Sequence, residues 1–231
     1  VLAPAVNNLA GRIAADIMKS NTNGANLVYN QNAEGEMISP TAATWLSAGA
    51  VLDMMSSPRA DRFIVMDPLT QARTVTSLMG LFNPQGIISR QYMRGTVATD
   101  TLGFDWGMDQ TVIAHQTGTY SGTITVSGAN QTGGVLTVAG LTGNLNEGDV
   151  FTIDGVYSVN RVTKEPNALL QQFVVIKRTE GNQIFIYPPI TPYDPVTNMP
   201  VPFQTVTRSP ANGAAVKIAT RSGQVYRKNF A

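Results

Sequence analysis

The chain has no cysteine among its 231 residues, which excludes a disulfide framework, a thiolate metal site and a cysteine nucleophile. It has one histidine, His115, so neither a multi-histidine zinc site nor a two-histidine zincin helix can be built. Charge is scarce as well. Asp, Glu, Lys and Arg make up 13% of the residues, against roughly a quarter in ordinary soluble domains. There is no run of about 18 apolar residues of the kind a membrane-crossing helix needs, so no membrane partner is expected. Val1 to Ala5 lack the basic-then-apolar layout of a signal peptide. The chain opens on Val1 and closes on Tyr226-Arg-Lys-Asn-Phe-Ala231 without a turn or tail, and reads as a fragment or trimmed chain.

What replaces charge is neutral polarity: 25 Thr and 17 Asn cover a surface whose apolar complement is an ordinary 43%. The net charge of +1 excludes disorder driven by self-repulsion and argues against a chain devoted to nucleic acid. The length suits one large domain or two smaller ones with a sizeable core. Charge is nevertheless segregated. Residues 195–231 carry Arg208, Lys217, Arg221, Arg227 and Lys228 with no acid, while the first 194 residues carry a net −4. Such a basic end suits non-specific contact with DNA or with an acidic face of a neighbouring subunit; a solvated strand face is the plainer reading.

The first 116 residues read as helices with a little sheet. Val6, Leu9, Ala10, Ile13 and Ile17 recur at helical spacing over Pro4 to Lys19, and Gly24 is expected to end that helix in a left-handed cap. Ser39-Pro40 predicts a second helix start, with Trp45, Leu46, Ala48, Leu52 and Met55 as its apolar stripe and Pro58 beyond its end. Arg62 to Met66 reads as a short buried strand. Asp67-Pro68 then opens a third helix through Leu69, Ala72, Val75 and Met79, broken at Gly80 and Asn83-Pro84. The methionines, Met54, Met55 and Met79 among them, are expected as gap-filling core.

The pattern changes near Thr117. Thr123–Val126, Val135–Val138, Val150–Ile153, Phe173–Ile176, Ile184–Tyr187 and Ala215–Ala219 alternate with a period of two. Asp154-Gly155 and Glu180-Gly-Asn182 are expected as hairpin turns, and Gly133-Gly134 and Gly143 as turns. The proline-rich stretch from Pro188 to Pro202 is expected as an extended loop. Strands of this number and length predict a small closed barrel or sandwich.

Residues that could carry chemistry are few. His115 could in principle serve a triad, but no Gly-x-Ser-x-Gly elbow accompanies it, and a hydrogen-bonded histidine near a domain junction is the simpler expectation. Asp100, Asp105 and Asp109 flank Gly103-Phe-Asp-Trp106 without the Asp/Asn ladder and closing Glu of a calcium loop. Neither a phosphate-cradling loop nor a dinucleotide fingerprint occurs. No catalytic residue, cofactor or metal is expected.

Several segments in order resemble tailed-phage major coat proteins of the Salmonella phage P22 family. They are Phe82–Gly95, Gly103-Phe-Asp-Trp106, His115-Gln-Thr-Gly118, Gly148–Asn160 with Thr163-Lys164, Leu170–Val175, Tyr187-Pro-Pro-Ile190 and the final Tyr226–Ala231. The likeness runs from about residue 3 to the end, and its weight lies in the order and spacing of the pieces together. It implies an α+β HK97-type capsid subunit core with an inserted antiparallel β-barrel. Residues 1–117 would form the spine helix and axial domain, 118–220 the insertion, and 221–231 the return segment. Family members also have an N-terminal arm and extended loop before the spine helix, and further sheet beyond the position of residue 231.

The resemblance implies a structural virion protein that self-assembles into the icosahedral shell enclosing DNA, guided by a scaffolding protein in the bacterial host cytoplasm. Low charge agrees with that role, because protein interfaces deplete charge at their centres and symmetry multiplies weak neutral contacts. Tyr193 and Asp194, in the position of the family's contact loop, and the basic Arg221, Arg227 and Lys228 are the expected intersubunit contacts. On this reading the Pro4 to Lys19 helix should be poorly covered in an isolated subunit. Two rivals remain. One is a carbohydrate- or protein-binding β-module of a phage tail or secreted protein, using Tyr157, Tyr187 and Tyr193. The other is an enzyme joining His115 to Asp105 or Asp109 in a dry pocket.

Overall fold

A computed structural model describes residues 2–24, 26–78, 94, 95, 97, 101–194, 199 and 201–231. Of the segments singled out above, Phe82–Gly95 apart from Arg94 and Gly95, together with Met79, Gly80, Asp100 and residues 195–198 and 200 of the proline-rich stretch, lies outside the described residues.

Helix α1 spans Leu2–Asn21. Its stripe is bare: Val6, Leu9, Ile13 and Ile17 are each 52–61% exposed. The helix does not end on Gly24, which is not among the residues of positive φ. Three successive turn bonds close it, the last from Gly24 N–H to the Asn21 carbonyl. The hydroxyls of Ser20 and Thr22 also cover the carbonyls of Ile17 and Lys19. Short polar side chains reach the orphan carbonyls locally, so a left-handed residue is not needed.

A hairpin missed in the sequence follows: β1 (Asn30–Gln31) pairs with β2 (Met37–Ile38). Its turn is built on Asn32, whose Oδ1 accepts from the backbone N–H groups of Glu34 and Glu36. Helix α2 spans Ala42–Met54 and starts two residues later than Ser39-Pro40 suggested. Thr41 is the cap. Its N–H donates to Thr44 Oγ1 at 3.1 Å, half of a reciprocal arrangement that Ser39 cannot make; Ser39 Oγ instead accepts from Arg73. Trp45 is buried against Ile64 and Phe104, whereas Leu46 is exposed.

Strand β3 (Phe63–Met66) buries Ile64 and Met66 but leaves Phe63 at the surface. Helix α3 (Pro68–Leu78) follows directly, and Asp67 caps it as expected, its Oδ2 accepting from Leu69 and Thr70 N–H. The chain later returns as β4 (Asp105–Met108), parallel to β3.

Strand β5 (Ala114–Gln116) then leads towards the sheet-rich half. There β6 (Tyr120–Ser121) pairs with β9 (Thr142–Gly143). The main sheet contains β7 (Thr125–Val126), β8 (Gly133–Ala139), β10 (Val150–Val159), β11 (Pro166–Glu180), β12 (Gln183–Ile190) and β13 (Val216–Ile218). Its order is β13-β10-β11-β12-β8-β7, antiparallel throughout. The outer strands approach each other. Val216 N–H donates to Ile124 O and Val126 N–H to Ala214 O, both at 2.9 Å, so the sheet is nearly a closed barrel. Phe151, Ile153, Phe173, Leu136 and Ile184 fill its interior, one from every second position as the pleat requires.

Three expectations within this half need correction. Asp154-Gly155 is not a hairpin turn but lies inside β10, where the register with β11 shifts between Thr152 and Tyr157. Gly155 supplies φ +75° there, the conformation a bulge demands. Gly133, Gly134 and Gly143 belong to strands β8 and β9. Pro188 and Pro189 are the end of β12 rather than loop. They fall between the paired residues Phe185 and Ile190, where no ladder donor is called for. The turn at Gly181-Asn182 is as expected, with Glu180 opposite Gln183.

Finally β14 (Val225–Arg227) returns antiparallel to β5, and Phe230 bridges to Val65 of β3. The outgoing and returning chains run side by side, Thr117 Oγ1 lying 2.7 Å from Thr220 Oγ1.

Candidate functional site

The chemistry-bearing side chains converge at the seam where β5 and β14 meet the start of β10. Asp149 immediately precedes β10 and is fully buried. Its Oδ1 lies 2.7 Å from His115 Nε2, and its Oδ2 accepts from Asn146 N–H at 2.7 Å and Gly118 N–H at 3.0 Å. Lys228 is 7% exposed and donates from Nζ to the Gly148 carbonyl at 2.5 Å. Tyr226 packs its ring edge-on to His115, centroids 5.3 Å apart.

Burial governs the ionisation of this seam. It lowers Lys228 from 10.5 to about 8, with Asp149 pulling the other way. It pushes the Tyr226 phenol well above its ordinary value, and Asp149 adds to that rise. Tyr120 is raised for the same two reasons, while its hydroxyl donates to the Thr220 carbonyl at 2.6 Å.

His115 therefore does sit near a junction and is hydrogen-bonded, but its carboxylate partner is Asp149, not Asp105 or Asp109. Asp109 accepts from its own neighbour Thr111, and Asp105 sits in β4. Carboxylate and imidazole join the 115–118 and 146–149 segments by hydrogen bonds and pack beside Tyr226 of β14, with the carboxylate fully buried and the imidazole nearly so, an arrangement that clamps a seam. Sequence reasoning passed over Asp149, although an acid placed directly before an alternating apolar run, in a chain with one histidine, was the available signal.

The expected contact residues lie on different elements. Tyr193 is 38% exposed, and Asp194 N–H donates to the Met199 carbonyl. Arg221 forms an exposed ion pair with Glu36. Arg227 reaches the Val112 carbonyl at 2.7 Å, and Lys228 is turned inward to the seam. Tyr157 and Tyr187, singled out for the binding-module reading, are 40% and 47% exposed on the barrel.

A cleft of about 910 Å³ opens between α2, the β1–β2 hairpin and the returning chain, lined among others by Trp45, Leu52, Met55 and Tyr226. No helix among the described residues is long and apolar enough to cross a membrane.

Comparison with known proteins gives a family-profile match and matches among solved structures. A family profile described as "P22 coat protein - gene protein 5" matches residues 131–230. Among solved structures, the CUS-3 coat protein I-domain is 30% identical over 42% of this chain and 96% of that one, with a TM-score of 0.33. No curated protein matches the chain.

Proposed function

The chain belongs to the P22 coat protein family and is a structural subunit of a phage capsid; from that premise we propose how its parts serve the shell. Residues 1–117 are an HK97-type core, with α1 as spine helix and α2, α3 and the β3–β4 pair in the axial domain. Residues 118–220 are the inserted barrel and residues 221–231 the return segment. The observation that carries the assembly reading is the family match over residues 131–230. The bare apolar stripe of α1 supports it, because Val6, Leu9, Ile13 and Ile17 need a cover that a finished shell supplies.

In this reading assembly takes place in the bacterial host cytoplasm on a scaffolding protein. Tyr193 and Asp194 meet a neighbouring capsomer, and Arg221 lies close enough to the surface to join them. Arg227 and Lys228, engaged by Val112 and Gly148, serve the seam first. Any non-specific contact with DNA would then fall to exposed Lys217 and Arg208. The subunit acts by association, as a structural family does, and needs no cofactor.

The test is negative-stain electron microscopy of the full reading frame co-expressed with its scaffold gene. Closed shells or tubes of uniform subunits are the expected result. Monomers without particles would shift the reading to a carbohydrate- or protein-binding module using Tyr157, Tyr187 and Tyr193. The insertion boundaries have their own check. Residues 118–220 expressed alone should give dispersed amide NMR signals, and a collapsed spectrum would move the boundaries.

A further inference from the structure

We propose that Gln172 of the barrel and Gln224 of the returning chain are positioning residues that together set how the barrel sits on the helical part of the chain, by standing in for a β-strand beside Leu27 and Met37. A glutamine side chain ends in the same acceptor and donor that a peptide unit presents. Gln172 Oε1 accepts from Leu27 N–H at 2.6 Å, and its Nε2 donates to the Leu27 carbonyl at 2.9 Å. Gln224 repeats the arrangement on Met37, with both bonds at 3.0 Å.

The side chains of Leu27 and Met37 meanwhile pack against Val150 of β10, Val174 of β11 and Ala219, just after β13. Each residue is thus held twice, its side chain by apolar burial and its peptide by an amide. Without the glutamines, four part-buried backbone groups would lose their partners, a cost that ordinary packing does not recover. Two further amides act in the same direction. Gln31 Nε2 donates to the Ala219 carbonyl, and Asn160 Nδ2 donates to the Met54 carbonyl at the end of α2.

All four anchoring side chains are neutral. The charged contacts alongside them are the exposed Arg221–Glu36 pair and an exposed bond from Asn23 to Glu147, both of which salt weakens. The barrel's orientation therefore holds across the ionic-strength range in which contacts between subunits change, whereas its response to pH lies with the buried Asp149, His115 and Lys228 of the seam. That consequence for the shell rests on the coat reading; the docking itself is a property of the free subunit.

The test uses the full chain. Hydrogen exchange at the Leu27 amide should speed up roughly tenfold or more in Gln172→Leu, and at the Met37 amide in Gln224→Leu. Each variant should free only its own contact and leave barrel amides such as Phe173 unchanged. Gln172→Glu, which keeps the acceptor, should retain protection at Leu27. If a leucine variant does not fold, the one-carbon-shorter Gln172→Asn and Gln224→Asn serve in its place.

Because the chain has no cysteine, spin labels at Ala50→Cys and Gln183→Cys, both exposed positions, report the orientation directly. Their distance distribution should be narrow and unchanged between about 0.05 and 0.5 M salt, and should broaden when both glutamines are replaced. The proposal is overturned if Leu27 and Met37 exchange is unaffected, if barrel amides speed up in step with them, or if the wild-type distribution moves with salt. Failure of the wild-type chain to form shells would count against the coat reading alone.

Discussion

Asp149 and His115, 34 residues apart in the chain, meet at 2.7 Å in the buried seam between the barrel and the returning strand. The carboxylate collects three donors, two of them backbone N–H groups, so it fixes the direction in which the chain enters β10. Removing one partner of such a buried polar set leaves the others unpaired. Asp149→Ala should lower stability by on the order of 3 kcal/mol, measured by urea unfolding. Asp149→Asn, which keeps the shape and one acceptor, should cost less. A loss under about 0.5 kcal/mol, the range of ordinary surface changes, would show that the seam is not a clamp.

Lys228 gives the seam a pH dependence of definite sign. The folded chain releases its proton from about pH 8, whereas the unfolded chain holds it to 10.5. Between those values the unfolded state binds more protons, so stability rises with pH. The full effect is on the order of 3 kcal/mol. Above about pH 10 the trend reverses, because folded Tyr226 and Tyr120 keep protons that the unfolded chain gives up. Urea midpoints across this range should rise and then fall, and Lys228→Met should abolish the rise. A flat wild-type profile would contradict the assignment.

Glycine is required at one position by its neighbours and at another only by its φ. A Cβ on Gly143, at φ +92°, would stand 2.1 Å from the Thr119 carbonyl oxygen, and the β6–β9 pairing would have to open. Gly143→Ala should cost about 3 kcal/mol or more. Gly181, at φ +61° with nothing within 4 Å, should lose about 1 kcal/mol on the same substitution. Thermal melts of the two variants side by side separate steric from conformational cost.

The α1 stripe should matter to assembly and not to folding. Leu9→Glu and Ile13→Glu change residues that are 61% and 52% exposed, so the melting transition should stay within about 0.5 kcal/mol of wild type. Sedimentation should show the variants failing to form particles. Particles of normal size from the double variant would mean that the stripe faces solvent in the shell.

Local pattern carried much of this architecture. The Asp67-Pro68 helix start, the two-residue turn at Gly181-Asn182 and the alternating runs of β8, β10, β11 and β12 were readable, because each depends on residues within a turn or a pleat. Errors arose where a local signal had two outcomes. Asp154-Gly155 has turn chemistry, but a bulge in a long strand uses the same positive φ. Ser39-Pro40 is a sound helix start, and Thr41 with Thr44 is a better one. At the seam, the lone His115 was noticeable in the sequence, whereas Asp149 resembled any acid before a strand.

Composition and periodicity by themselves determined the absence of thiol chemistry, the amphipathic α1 and the switch to β pattern near Thr117. These depend on residue type and short spacing alone. Tertiary structure decided which distant groups pair: Asp149 with His115, Gln172 with Leu27, Gln224 with Met37. A neutral amide or a single carboxylate has no spacing signature, because its partner lies 34 to 187 residues away in the chain. Only the folded backbone brings a matching donor or acceptor within reach, and the penalty for leaving a buried group unpaired then selects that pairing.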